Sequence, residues 1–520
     1  MSNSLNRVLM QLVEQAEGGA SRDARFRQSF HLMPPVGWMN DPNGLCQVDG
    51  VFHAYFQYAP TSVSGGLVFW GHATSRDLLH WEHDGAVLAP DTPYDCHGVY
   101  SGCAVVRDGG VTMFYTGNVK LPDADGSFDY VNAGRVANTV MVETADGSTF
   151  GPKRLLMTNA DYPADETCHV RDPYVWRDEV SGRYLMLQGA RRHVEAEPRP
   201  SRFAALHGAG AGTDRGEVLV FASDDLRSWS FLNRVSTPTR FGFMWECPGY
   251  AELGDASGAR EGAAPLKVLS VSPQGLEGGD WDRRNIYQSG YFTLTGDIAG
   301  AYELGAFRLW DAGFDFYAPQ VFRAEDGRHL LVGWMGMPND EHAYGNDPSV
   351  ARGWQHCLTI PRELTAGPQG VVLQAPAREL EAWRGELMQA GGALACEGVP
   401  AFDLEVTGVS GIFRAVLHGG LSVAWLPAGA DGAGETLPAR LELRFTDAGP
   451  GDRSGIGCGR AVRWEPLERL ERIRIVADAS SVEVFANDGA LVMSTRCYPT
   501  TPSLSVDAPG ASIRFWRLGQ

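Results

Sequence analysis

Near the N-terminus Leu5, Val8, Leu9, Leu12 and Val13 recur at helical spacing, with Glu14 and Glu17 interrupting the apolar run, and predict one short helix. Beyond it, apolar residues alternate or come in brief stretches bounded by Gly, Pro, Asp and Asn, the pattern of short strands. Leu45 to Val48, the Asp49-Gly50 pair and Val51 to Tyr58 read as a hairpin. Tyr174 to Trp176, Gly182 and Tyr184 to Leu187 read as another.

Two series of positions recur in phase. Ser75-Arg76-Asp77-Leu78-Leu79-His80-Trp81 resembles Ser223-Asp224-Asp225-Leu226-Arg227-Ser228-Trp229, and Thr144 to Phe150 is a weaker copy. In each, an Asp precedes an aromatic by four residues, and the Asp positions lie 69 and then 79 residues apart. Asp41, Ser101, Asp172, Glu246 and Tyr317 each head a β-like stretch, at intervals of 60, 71, 74 and 71 residues. Units of this size, repeated five times, predict radial blades in a five-bladed β-propeller. That architecture gathers the starts of the innermost strands around one end of a central channel, and three of these five starts are carboxylates.

After Cys357 to Arg362 the character changes. Leu441, Leu443 and Phe445, Ile473 and Ile475, Val482, Val484 and Phe485, and Ile513 and Phe515 alternate as strands separated by Gly- and Asp-rich turns. They predict a β-sandwich. The expected fold is therefore all-β: an N-terminal helical extension over 1–24, a propeller over 25–365 and a sandwich over 366–520.

Composition narrows the function. A net charge of −19 disfavours nucleic acid and anionic membrane as partners, because both would repel most of the surface. Nine cysteines are scattered without a repeated spacing, and Cys96-His97 and Cys168-His169 belong to no zinc-binding pattern. Unpaired thiols, no apparent export signal and no apolar stretch of the ~18 residues that cross a bilayer lead to the expectation of a cytoplasmic protein.

The candidate chemistry lies in three short motifs. Asp41-Pro42-Asn43-Gly44 has the composition of a type I turn, and Asn346-Asp347-Pro348 is a decoy of similar make-up. In His169-Val170-Arg171-Asp172-Pro173, adjacent residues of an extended strand face opposite ways, so Arg171 need not neutralise Asp172. Glu246, between Trp245 and Cys247, sits in apolar company that disfavours its charged form. Each motif alone fits a surface turn or a packed strand. Three acids in register at one channel mouth, among many aromatics, suit cleavage of a glycosidic bond, where one acid protonates the leaving oxygen and another attacks or activates water.

The combination of Trp38 to Gly44, Phe56-Gln57-Tyr58, Trp70 to Ala73, Ser101-Gly102, Arg171-Asp172-Pro173, Glu246-Cys247-Pro248, Asp315 to Gln320 and Asp478 to Gly489 resembles glycoside hydrolase family 32, the invertases, sucrose-6-phosphate hydrolases, inulinases and levanases. The resemblance runs from residue 31 to 518. It implies a retaining β-fructofuranosidase with Asp41 as nucleophile, Glu246 as acid/base and Asp172 holding fructose hydroxyls, and no metal or organic cofactor. In such a mechanism the two reacting carboxyls stand about 5–5.5 Å apart. It further implies a fructose pocket lined by Asn40, Gln57, Ser101, Arg171, Cys247, Tyr317 and Trp334, with Cys247 as a hydrogen-bonding neighbour of Glu246. A small sugar is the expected partner: sucrose or a short fructo-oligosaccharide, with sucrose 6-phosphate or a fructan as alternatives. Two departures stand out. Members commonly carry a Trp about eight residues after the Gln of the Phe-Gln-Tyr segment, whereas 61–66 here is Thr-Ser-Val-Ser-Gly-Gly. Tyr100 stands where the family often has Phe. A non-catalytic sugar-binding propeller and an inverting arabinan or xylan hydrolase are the rival readings. The latter would space its acids about 6.5–9.5 Å apart.

Overall fold

A hairpin closed by Asp49 and Gly50 needs two consecutive residues of positive φ, and both adopt it (51° and 74°), as a two-residue turn matching the twist of its strands demands. That hairpin joins Gly37–Val48 to Val51–Ala59 and begins the first of five antiparallel blades in the computed structural model. The structure describes residues 4–519 apart from 22, 108, 128, 130, 196–200, 255–263, 280–282, 338–343 and 431–435. Phe69–Ser75 and Glu82–Leu88 complete the first blade. The later blades begin with Val99–Arg107, Glu166–Arg177, Met244–Leu253 and Tyr317–Arg323, and each has four strands in sequence order. Apolar clusters fill the spaces between neighbours. Cys46, Tyr55, Trp70, Val99, Met113 and Tyr115, for example, pack the first blade on the second.

The ring is tied shut by a short excursion of the last blade. After His329–Trp334 the chain leaves that sheet, and Trp354–Gln355 pairs in parallel with Gly37 and Trp38 of the first blade. It then returns to form Arg362–Ala366 and Val372–Pro376. The propeller sheet thus ends at Pro376, beyond the expected boundary at 365. Period-two alternation reads the same in a blade's outer strands as in a sandwich, which is why the pattern misplaced the border.

The Asp-x-x-x-aromatic repeat is a turn. In all three copies it joins the third to the fourth strand of a blade, and one Asp oxygen accepts two successive backbone N–H groups: Leu79 and His80 on Asp77, Ser148 and Thr149 on Asp146, Arg227 and Ser228 on Asp225. Backbone donors hold the exposed Asp146 and Asp225 carboxyls down at about 2. This series is architectural.

The other series is where the geometry departs from a regular sheet. In every blade the innermost strand carries a bulge, two residues opposing one: Asn40-Asp41, Tyr100-Ser101, Asp172-Pro173, Cys247-Pro248 and Ala318-Pro319. Proline is tolerated there because a bulged residue gives no ladder hydrogen bond. Asp41 to Gly44, expected as a turn, accordingly lies inside the strand Gly37–Val48.

The C-terminal strands form one hydrogen-bonded sheet folded into two layers. The long last strand Ser503–Arg517 pairs with Phe413–Leu417 through its first half and with Phe402–Thr407 through its second. Leu441, Leu443, Ile473, Ile475, Val482, Val484, Ile513 and Phe515 point into one core, as the alternation predicts. Phe485 faces the other way, onto Phe30, Leu79 and Ile360 at the propeller contact. The helix spans Ser4–Gly18 and buries Leu9 and Val13, while Leu5, Val8 and Leu12 stay exposed.

Candidate active site

The five bulges turn side chains from successive blades toward one end of the channel. Positive φ at Asp172 (62°), Cys247 (47°) and Ala318 (46°) is the local device, an uncommon backbone state for residues other than glycine and one that re-aims the strand.

Asp41 is held from its own blade and the next. Asn40 Nδ2 donates to its Oδ1 at 3.2 Å, Gln57 Nε2 to its Oδ2 at 3.4 Å, and the Ser101 hydroxyl to Oδ2. Asn40 also donates to Gln57 at 2.8 Å, and Gln57 to Ser101. Burial pushes the Asp41 carboxyl above its ordinary range, the Ser101 and Asn40 donors oppose that, and the nearby Glu246 charge reinforces it. Asp172 is pushed up to about 7, chiefly by burial, against the pull of Arg171 and with the push of Glu246. Its Oδ2 accepts the Cys247 backbone N–H at 2.9 Å.

The family resemblance implied Cys247 as a hydrogen-bonding neighbour of Glu246, but its hydrogen bonds run to the other two acids. Its thiol lies 3.6 Å from Asp172 and 3.7 Å from Asp41, bridging those two acids, and burial beside three carboxylates keeps it protonated. Glu246 has other partners. Arg171 Nη1 is 3.1 Å from Oε1, and Tyr317 Oη donates to Oε2 at 2.8 Å. Arg171 therefore reaches across to the acid of the next blade, consistent with neighbouring side chains pointing opposite ways along a strand. Tyr317 and Trp334 are buried, their ring centroids 6.5 Å apart, and Trp334 stands 6.0 Å behind Trp38.

Several residues that hold this constellation carried no individual signal. Asn43 donates to the Asp41 carbonyl and accepts from Gly102 N–H, at 3.1 and 3.0 Å. Gln320, from the fifth blade, accepts from Leu45 N–H and donates to Gly102 O, both at 2.8 Å, clasping three blades beneath the acids. Thr116 Oγ1 receives the Asp172 N–H at 2.8 Å. A side chain that bonds backbone on another blade leaves no pattern in its own neighbourhood of the sequence. Cys168 Sγ donates to Val131 O at 2.8 Å and His169 Nδ1 lies 3.1 Å from Arg171 Nη2. Among the described residues no group of three or more His, Cys, Asp or Glu side chains is arranged to hold a metal ion.

The profile for the N-terminal domain of glycosyl hydrolases family 32 matches residues 31–199 and 197–376, and that for the family's C-terminal region matches 444–515. A sucrose-6-phosphate hydrolase of Klebsiella pneumoniae is 35% identical over 98% of this chain and 96% of its own. The chain belongs to glycoside hydrolase family 32. It is thus a glycoside hydrolase. A raffinose invertase of Escherichia coli is 34% identical over 91% of this chain and 90% of its own. The solved sucrose-6-phosphate hydrolase of Lactobacillus gasseri superposes with a TM-score of 0.79 at 23% identity, covering 98% and 96% of the two chains. A Bombyx mori β-fructofuranosidase solved with sucrose superposes with 0.77 at 25% identity, covering 100% and 99%.

In this family 32 hydrolase the segment 61–66, which lacks the usual Trp, runs beside Trp38: a β-carbon on Gly65 would lie 3.9 Å from the indole. Tyr100 is half-buried and its carbonyl accepts the Trp70 indole N–H at 3.0 Å.

Proposed function

We propose that this chain is a retaining β-fructofuranosidase that hydrolyses the fructosyl bond of sucrose or a short fructo-oligosaccharide. The observation that carries the reading is the meeting of Asp41, Asp172 and Glu246, from three blades, at one channel end, with Cys247 bridging two of them. Asp41 attacks the anomeric carbon of the fructosyl unit while Glu246 gives its proton to the glycosidic oxygen, releasing the first sugar and leaving a fructosyl ester on Asp41. Glu246 then takes a proton from water, the water attacks the same carbon, and the ester bond breaks back to carboxylate and fructose. Asp172, beside Arg171, accepts fructose hydroxyls and faces the positive charge that develops on the ring. Asn40, Gln57 and Ser101 hold Asp41, Arg171 and Tyr317 hold Glu246, and Trp334 backs the pocket wall.

Sucrose 6-phosphate is the second reading. The names of the relatives favour it. Nine free cysteines, seven of them buried, support a reducing cytoplasmic setting, and no helix among the described residues is long and apolar enough to cross a membrane.

Fructose release from sucrose, sucrose 6-phosphate, 1-kestose and inulin, with Asp41→Ala as control, tests the proposal. Release from a small substrate that vanishes in the control, with the β-anomer formed first by proton NMR, is the expected result. Release of the inverted anomer, or activity undiminished in Asp41→Ala, overturns it.

A further inference from the structure

The excursion that closes the propeller ends on His356, which has φ of +73°. That left-handed state is unfavourable for a residue with a β-carbon and persists only where the surroundings hold it. Here the backbone sends a polar ring into the core, where it is 2% exposed. Its Nδ1 lies 3.0 Å from the Met39 carbonyl and its Nε2 lies 3.0 Å from Gln355 Nε2. Burial, with Arg496 nearby, lowers the imidazole to about 3, so it is neutral over the working range. A carbonyl only accepts, so Nδ1 carries the proton and donates to Met39, and Nε2 accepts from the Gln355 amide. Both ring nitrogens are satisfied and the tautomer is fixed.

What His356 touches leads directly to Asp41. Met39 is the last regular residue before the Asn40-Asp41 bulge. The imidazole also packs edge-on to Trp38, at 4.3 Å and 80°, and to Trp334, at 4.9 Å and 79°. Trp38 in turn donates its indole N–H to Asn40 Oδ1 at 2.9 Å. With its oxygen occupied, the Asn40 amide can present only its NH2 group to Asp41 and Gln57. A ring chosen for packing alone would need neither the unfavourable backbone nor two buried polar atoms.

We infer that His356 is a positioning residue for the nucleophile: by pinning the Met39 carbonyl and the Trp38 indole it fixes the Asn40 amide, and through it the Asp41 carboxylate. The inference rests on the reading of Asp41 as nucleophile.

The test is steady-state hydrolysis of sucrose by the full-length His356→Phe, His356→Asn, Trp38→Phe and Trp38→Phe/His356→Phe enzymes, each with its thermal midpoint. Phe keeps the ring and loses the donor; Asn keeps a donor and tolerates positive φ. His356→Phe should lower kcat about 10–100-fold, as expected when a reacting group is misplaced, with KM within about twofold. His356→Asn should recover most of that loss. The double variant should be no more than about threefold worse than the poorer single one, because both act through Asn40. Multiplicative losses, or a fall in activity that only tracks the folded fraction, would overturn the inference. If Asp41→Ala is inactive while His356→Phe behaves as wild type, the site reading stands and this one fails. An active Asp41→Ala removes both.

Discussion

Two of the places where the molecule buries carboxylates treat them differently. Where the sandwich docks on the propeller, Arg460 forks onto Asp315 at 2.6 and 2.8 Å and Arg362 meets Glu483 at 2.6 Å and Asp311 at 3.0 Å. His31 stands between Asp478 and Glu483, at 2.9 and 3.0 Å, and the Ser29 and Phe30 N–H groups point at Asp478. Burial raises Asp478 and Glu483, but His31 and, for Glu483, Arg362 outweigh it, so both sit below the ordinary range. At the channel end Arg171 pairs with Glu246 and also pulls on Asp172, yet Asp172 and Asp41, the latter held by hydroxyl, amide and thiol donors, are both pushed up. Carboxylates matched by cations hold the domains together. Asp41 and Asp172, buried with less compensation, are held ready to meet a substrate.

The comparison breaks most sharply at the acids themselves. Asp41→Ala or Glu246→Gln should lower kcat roughly 10⁴-fold with the thermal midpoint nearly unchanged, read by fructose release and calorimetry on the same samples. The interface should show the reverse. Arg362→Met strands two buried carboxylates and should cost about 3–5 kcal/mol in denaturant unfolding, with little change in kcat per folded enzyme. Activity lost without stability in Arg362→Met would merge the two regions into one functional unit.

Asp172→Asn should separate the two properties within one residue. An acid whose folded pKa is raised from 3.8 to about 7 favours the folded state below pH 4 and loses that contribution as pH rises toward 7. The variant should therefore be nearly inactive yet melt a few degrees higher than wild type at pH 7, with the gain fading near pH 4. Equal midpoints at both pH values would show that Asp172 is fully compensated.

The smallest effect concerns pH at the interface. The lowered Asp478 and Glu483 contribute stability above their unfolded values of 3.8 and 4.5 and lose it as pH falls through their folded ones. His31, raised by the same two acids against burial, contributes below 6.5 and loses its share as pH rises through its folded value. Glu483→Gln should flatten the acid side of the midpoint-against-pH curve, and His31→Gln both sides.

Much of this was legible one residue at a time. The spacing of Asp41, Ser101, Asp172, Glu246 and Tyr317 revealed five blades because each blade repeats the same bulged strand, and local turn chemistry at Asp77, Asp146 and Asp225 kept the period audible. The partners were not. His31 and Asp478 are 447 positions apart, Arg362 and Glu483 121, and His356 and Met39 317. Asp315 sits in the same motif as Tyr317, yet its carboxylate serves the interface and the Tyr317 hydroxyl serves Glu246.

The chain's own order of residues determined the fold class, the identity of the acids and the blade each would come from, since strand alternation, turns and bulges are short-range matters of backbone sterics. Which acids are balanced by cations, that Cys247 bridges Asp41 and Asp172, that Arg171 serves Glu246 and that His356 reaches the strand carrying Asp41 were decided only by tertiary structure. Charge and hydrogen bonding act over a few ångströms of space, and closing the ring and docking the sandwich choose which distant side chains come within that reach.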